Sequence, residues 1–268
     1  MKLNTMTPLE QFKADINDRV GRYKGNASLQ AAGRAFFEEI GIGGADYVYN
    51  FTWLGVPIIQ LPQDLQLLQE IIWDVKPDLI IETGIAWGGT LLHSASMLTL
   101  LEACGVIRKG HVIGIDIDIR SHNKAAISQH PLSRKITTLE GSSIDEAIIG
   151  RVKDLAMEYT RIMVCLDSNH THDHVLAELE AYAPLVSIGS YCMVGDTIIE
   201  DAPDSMVSQR PWCKGNSPKT AVWEYLRLLN DQGRTGMDGN RLNFEIDKLV
   251  EDKVIVTGSP DGFLKRIE

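Results

Sequence analysis

Five short apolar runs, Leu79–Ile81, His111–Asp116, Ile136–Leu139, Ile162–Leu166 and Tyr191–Val194, recur along the chain with stretches of helical spacing between them. A strand separated from the next by a helix cannot hairpin onto it. It must cross over, and right-handed crossovers leave the strands parallel with helices on both faces. The chain is therefore expected to be a doubly wound α/β protein. Leu61, Leu65, Leu68, Ile72 and Val75 mark the helix before the first strand, and Pro77 closes it. Further helices are expected over 90–104, stopped by Gly105, and over 145–159, 172–182 and 218–229. Upstream, Thr7-Pro8-Leu9-Glu10 has the capping-box pattern of a helix that runs to about Val20. Residues 21–50 carry Gly21, Gly25, Gly33, Gly41, Gly43 and Gly44, which predicts loops around a short helix near 28–40. At the other end, runs 254–257 and 263–267 flank Ser259-Pro260-Asp261-Gly262, which predicts a closing antiparallel hairpin.

A chain of 268 residues, 44% hydrophobic, has enough apolar surface for one large core. Its formal net charge of -10 disfavours a nucleic-acid partner, which needs a basic face. Cys104, Cys165, Cys192 and Cys213 form no C-x-x-C pair, as expected in a reducing cytoplasm. The first twenty residues are charged throughout, and no apolar stretch approaches the ~20 residues of a membrane span. The expected partner is a small-molecule or glycan acceptor.

Open α/β sheets bind ligands at the carboxyl ends of their strands. Polar residues gather there. Glu82-Thr83-Gly84-Ile85-Ala86-Trp87-Gly88-Gly89 follows the first strand and opens a helix, and its glycines let backbone approach a ligand. The spacing is not G-x-G-x-x-G, and no lysine completes a phosphate-binding loop, so ATP and NAD are both disfavoured. E-x-G-x-x-x-G-G suits a ligand with no pyrophosphate at that loop, such as S-adenosylmethionine. Asp116 ends the second strand, where an acid can bond a ribose diol. Ser142 and Ser143 end the third, where they can edge an adenine. Asp167 and Asp196 end the fourth and fifth. Two acids at adjacent strand ends suit Mg²⁺, and His170 stands ready to take a proton. Turn chemistry or helix capping accounts for any one of these residues alone; the ordered set carries the reading. His170, His172 and His174 alternate and cannot share one helix face, so zinc is disfavoured and the latter two are expected to be solvated. Trp53, Trp87 and Trp212 are packing anchors or pocket walls, with Trp87 the best placed. Arg210, Lys214 and Lys219 lie in a loop, 201–219, long enough to be a lid.

The chain resembles the cephalosporin hydroxylase family, whose members look like class I S-adenosylmethionine-dependent O-methyltransferases. The resemblance spans about residues 50–268. It rests on Phe51-Thr52-Trp53-Leu54-Gly55-Val56-Pro57, Glu82-Thr83-Gly84 with Gly88-Gly89, Gly114-Ile115-Asp116-Ile117-Asp118, Leu166-Asp167-Ser168-Asn169-His170, Ala183-Pro184-Leu185-Val186 and the tail Thr257–Arg266. It implies a seven-stranded, mostly parallel, Rossmann-like sheet over 56–268, with 1–55 as a helical arm. Glu82, Gly84, Trp87, Gly88, Gly89, Asp116, Ser142, Ser143 and Asp167 would hold the donor. Similarity to catechol-type and macrolide-sugar O-methyltransferases makes Asp167 and Asp196 ligands of Mg²⁺ and His170 the general base. Relatives carry Glu-Asp where this chain has Gly195-Asp196, so one ligand is absent or replaced by Thr197 or Glu200.

The expected activity is methylation of a hydroxyl on a sugar, polysaccharide precursor or secondary metabolite. The family name raises an alternative, a hydroxylating oxidoreductase, but no 2-His-1-carboxylate or flavin pattern supports it. A donor-binding protein without catalysis is the third possibility, against which Asp167 and His170 stand. The arm and the exposed hairpin edge point to a homo-oligomer.

Overall fold

The computed structural model describes residues 6–41, 45–207 and 210–268. Gly43 and Gly44 of the expected glycine-rich loop, and residues 208 and 209 of the 201–219 loop, lie outside the described residues. The chain begins with α1 (Pro8–Lys24) and α2 (Ala27–Ile40), then a small hairpin of β1 (Phe51–Trp53) and β2 (Val56–Ile58). There follow α3 (Pro62–Val75), β3 (Leu79–Thr83), α4 (Gly89–Ala103), β4 (His111–Asp116), α5 (Ser121–Gln129) and β5 (Ile136–Glu140). The second half comprises α6 (Glu146–Ala156), β6 (Ile162–Leu166), α7 (His172–Tyr182), β7 (Tyr191–Val194), the short α8 (Asp204–Val207) and α9 (Pro218–Gln232). It ends with β8 (Phe244–Ile246), α10 (Lys248–Asp252) and β9 (Phe263–Arg266).

Seven strands form one sheet in the order β5-β4-β3-β6-β7-β9-β8. The first five are parallel, and β9 runs antiparallel to both β7 and β8. Strand pleating sorts the core into two layers. Leu79, Ile81, Ile162, Val164 and Leu166 face α6, α7 and α9, where Val152, Leu179 and Tyr225 are buried. Ile80, Met163 and Cys165 face α3 and α4, where Ile72, Leu91 and Leu98 are buried. All five residues of β3 and of β6 are buried, as central parallel strands covered on both faces require. Among the described residues no helix is long and apolar enough to cross a membrane.

The expected strands and long helices stand where the periodicity puts them. The Thr7 capping box is formed, with the Glu10 carboxylate accepting from the Thr7 amide at 2.7 Å. One expectation is corrected. Residues 254–257 are not the first strand of the closing hairpin; β9 pairs instead with β8. The run has strand composition, but Ile255 takes φ +65° and the Gly258 amide is claimed by Asp64 at 2.8 Å, so it folds as a loop behind α10. The Ser259–Gly262 turn does form, with Gly262 N donating to Ser259 O at 2.9 Å. α5 and the β1–β2 hairpin carry too weak a periodicity to be expected.

His93, in the middle of α4, is 1% exposed, and neither ring nitrogen has a hydrogen-bond partner among the described residues. Its ring packs edge-on against Trp53, centroids 4.5 Å apart. Burial drives its pKa down to about 4. The folded state therefore resists the proton that the unfolded chain accepts below its ordinary pKa, and stability falls as pH drops through that interval. Lowering the pH from 7 to 4.5 is expected to destabilise the protein by about 2 kcal/mol more than it destabilises His93→Leu, measured by urea unfolding; equal pH slopes would refute this.

Candidate active site

β3 is the point from which the crossovers diverge, one set running outward to β4 and β5, the other returning to β6 and β7. A crevice must open above such a switch point, because the loops leave it in opposite directions. It does so here as a cavity of about 390 Å³, within the roughly 300–1,000 Å³ of small-molecule sites. Of the expected site residues, Gly84, Trp87, Gly89, Asp116, Asp167, His170 and Asp196 line it. Glu82, Gly88, Ser142, Ser143 and Thr197 do not.

The glycine loop is built by contacts within the protein. Gly84 has φ +85°, and a Cβ there would overlap the Asp167 carbonyl group, 2.6 Å from its carbon. A Cβ at Gly89 would fall 2.7 Å from Ile58 Cα. These glycines thus also let neighbouring segments pass close to one another within the protein, while both line the cavity. Ala86 sits between them at φ +46° and is clamped on both sides. Asp116 Oδ2 accepts from the Ile85 and Ala86 amides at 2.8 and 3.2 Å, and Asn123 donates to Ala86 O at 2.6 Å. Asp116 Oδ1 accepts from the Asp118 amide at 3.1 Å. Both oxygens of the expected ribose acid therefore already serve the loop. Glu82 is buried beneath it and accepts from the Thr90 hydroxyl; burial pushes its carboxyl up to about 8.

Ser143 is buried on the far side of the sheet top, its hydroxyl 3.1 Å from His174 Nε2. The same nitrogen lies 3.2 Å from the Ser168 hydroxyl, which donates to Glu178 at 2.6 Å. His172 Nδ1 is 2.9 Å from the Thr220 hydroxyl. His172 and His174 are thus half-buried and engaged, not solvated, because α9 and the loop after β5 pack over the first turn of α7.

Asp167, His170 and Asp196 converge, one ligand atom from each lying within 4.8 Å of the others. His170 Nε2 is 3.4 Å from Asp196 Oδ2. Gln60 donates to Asp167 Oδ2 at 3.0 Å. Burial, with Asp196, Glu82 and Glu178 nearby, holds the Asp167 carboxyl well above the usual carboxylate range. Gly195 makes this arrangement possible, since a Cβ there would sit 2.8 Å from Asp167 Cγ. Neither expected substitute joins the group. The Thr197 hydroxyl donates to Pro260 O at 2.6 Å, and Glu200 accepts from the Gly215 amide and the Ser217 hydroxyl at 2.9 and 2.7 Å.

The 201–219 loop closes one side. Trp212 meets His170 edge-on at 4.8 Å, and Arg210 stacks on Trp212 at 5.5 Å. Lys219 is buried in an ion pair with Asp201, so no basic patch forms with Arg210. Trp53 lies away from the crevice, its indole N–H donating to the Ser96 hydroxyl at 3.0 Å.

Gln60 and Asp64 are crevice residues with no sequence signal. Gln60 comes from the β2–α3 connector. Asp64 reads as an ordinary first-turn acid of α3, yet it is 5% exposed and lines the cavity. Burial raises its carboxyl to about 6 against the opposing Thr257 hydroxyl and Gly258 amide.

Comparison with known proteins shows the family and the fold. The family described as rhamnosyl O-methyltransferase/CmcI matches residues 45–267. A rhamnosyl O-methyltransferase of Mycobacterium leprae is 30% identical over 223 residues, 82% of this chain and 86% of the relative. One of Mycobacterium tuberculosis is 27% identical over 219 residues, 80% of this chain and 78% of the relative. A CmcI structure described with Mg and SAM superposes with a TM-score of 0.56 at 20% identity, covering 85% of this chain and 80% of that one. An apo structure of CmcI gives 0.54 at 21% identity over the same shares. At that identity the likeness to CmcI concerns the fold.

The packing role of the loop is testable by stability alone. Gly84→Ala is expected to destabilise by about 3 kcal/mol or more, and Gly105→Ala, also at positive φ but with no neighbour to overlap, by about 1 kcal/mol. Equal shifts in the urea midpoint would remove the close-approach argument.

Proposed function

The chain belongs to the rhamnosyl O-methyltransferase/CmcI family, and on that footing we propose that it transfers a methyl group from S-adenosylmethionine to a hydroxyl of a rhamnosyl or related sugar acceptor, with Mg²⁺ at Asp167 and Asp196 and His170 as general base. The observation that carries the chemical part is the convergence of Asp167, His170 and Asp196 beside the glycine loop. An acid pair and an imidazole within reach of one point suit deprotonation of a hydroxyl.

The crevice fits the donor. Gly84 to Trp87, Gly89 and Thr90 bring the N-terminus of α4 to its wall, where a carboxylate is favoured, and Asp116 Oδ1, which accepts one amide, keeps a lone pair for a ribose hydroxyl. The donor set fits Mg²⁺ as well: two hard carboxylates whose mutual repulsion a cation would relieve. When bound, S-adenosylmethionine supplies an activated methyl group and Mg²⁺ lowers the pKa of a hydroxyl. The protein does the rest. Asp167 is held by Gln60 and given room by Gly195, so its position does not depend on a ligand. His170 Nε2, 3.4 Å from Asp196 Oδ2, takes the hydroxyl proton. Trp212 packs edge-on against the His170 ring and holds its orientation. We assign residues 56–268 to this catalytic domain and 1–55 to the arm.

Incubation with S-adenosylmethionine and methyl α-L-rhamnoside is expected to give a product heavier by one CH₂ in mass spectrometry. His170→Ala is expected to lower kcat by about 10²- to 10⁴-fold while S-adenosylhomocysteine affinity, by calorimetry, stays within about twofold. Comparable loss of both would remove His170 as the base. Chelation with EDTA is expected to abolish turnover and added Mg²⁺ to restore it; activity that survives exhaustive chelation would reject the metal.

A further inference from the structure

Asp196 has φ +52°, a left-handed conformation that is strained for any residue with a Cβ. Such a residue persists only where its surroundings over-determine it. Here the restraint comes from residues 258–262, the segment before β9, which runs alongside the end of β7. Val194 N donates to Gly262 O at 2.8 Å, the Thr197 hydroxyl to Pro260 O at 2.6 Å and Ile198 N to Gly258 O at 3.2 Å. The two segments pass so closely that a Cβ at Gly262 would overlap Val194 O. Bonds to this one segment thus bracket Asp196 on both sides.

The segment is anchored in turn from the opposite wall of the crevice. Gly258 N donates to Asp64 Oδ2 at 2.8 Å, a contact between residues 194 apart in the chain. Asp64 lies in the first turn of α3 and is buried. Burial raises its carboxyl, and nearby Asp196 adds to the rise. On the same stretch of chain, Gln60 donates to Asp167 Oδ2 at 3.0 Å. The stretch from Gln60 to Asp64 therefore reaches both acids of the cluster, Asp167 directly and Asp196 through Gly258.

We propose that Asp64 is a positioning residue for Asp196, fixing the turn at 196–198 through Gly258 and, together with Gln60, setting the separation of the two carboxylates that would hold Mg²⁺. This rests on the metal reading above and adds what keeps the two acids in register. Asp167 and Asp196 repel each other, and the strain at Asp196 favours release of its turn. Without the anchor both effects move the turn outward, away from a shared ion. The role of Asp64 is that of an acceptor, so an amide oxygen at the same place serves as well as a carboxylate.

The experiment measures Mn²⁺ affinity by calorimetry for the full chain saturated with S-adenosylhomocysteine. Asp64→Ala removes the acceptor for Gly258 and is expected to weaken Mn²⁺ binding by about 10- to 100-fold, while S-adenosylhomocysteine affinity stays within about twofold of wild type. Asp64→Asn keeps a carbonyl oxygen for that amide and is expected to bind Mn²⁺ within about threefold of wild type. Thr197→Val breaks the bond to Pro260 instead and is expected to weaken Mn²⁺ binding by about tenfold. It decides the question alone if Asp64→Ala fails to fold, which lost S-adenosylhomocysteine binding would reveal. An Asp64→Ala protein, or in its place Thr197→Val, that binds Mn²⁺ as the wild type does overturns the proposal. So does Asp64→Asn as weak as Asp64→Ala, since the charge and not the bond to Gly258 would then matter. A wild type that binds S-adenosylhomocysteine but no Mn²⁺ removes the metal reading itself, and this inference with it.

Discussion

The close passage of β3 and β6 at their carboxyl ends is the contact on which the rest depends. Gly84 N donates to Ile115 O at 2.8 Å, Asp167 N to Thr83 O at 3.0 Å, and Gly195 N to Leu166 O at 2.8 Å. Backbone pairing between neighbouring strands thus continues past the strand ends, and the loops leave the sheet only after it. A side chain at Gly84 would break this stitching at the Asp167 carbonyl. A Cβ at Gly195 would press on the Asp167 carboxylate and leave the backbone pairing in place. The missing side chain at Gly84 therefore decides where the Asp167 backbone stands, and Asp167 decides where the cluster with His170 and Asp196 can form.

Gathering acids at one end of a sheet is electrostatically unfavourable. Glu82 and Asp64 are buried, and their carboxyls are raised to about 8 and about 6. Asp167 is raised well above its usual range by burial and by its acidic neighbours. Such a region is stable only because neutral donors surround it: the Thr90 hydroxyl on Glu82, the Gly258 amide on Asp64, the Gln60 amide on Asp167. None of these donors carries charge, so it is protonation rather than a protein cation that relieves the repulsion among the buried acids.

The scaffold was largely legible because its signal is local and repeated. β4, β6 and β7 coincide with apolar runs read from the chain, and α4 starts and stops at the glycines that bracket it. The misplaced hairpin shows the limit. Val254-Ile255-Val256-Thr257 is a better strand by composition than Phe244-Glu245-Ile246, yet the second is the strand. The backbone amide of Gly258 is committed to Asp64, 194 residues away in the chain, and local propensity cannot register such a partner.

The sequence by itself determined the five parallel strands and the long helices, the polar residues at each strand end and the glycines beside them, since all of these are set by periodicity and residue type over short windows. The meeting of His170 with Asp167 and Asp196 was legible at the strand ends, and tertiary structure decided the rest: it turned Thr197 and Glu200 away to Pro260 and the 215–217 turn, and brought Gln60 and Asp64 to a crevice that no motif announces. The reason is that a cavity is a property of packed surfaces. Its walls come from segments far apart in the chain, and steric fit at positions such as Gly84, Gly195 and Gly41 selects them.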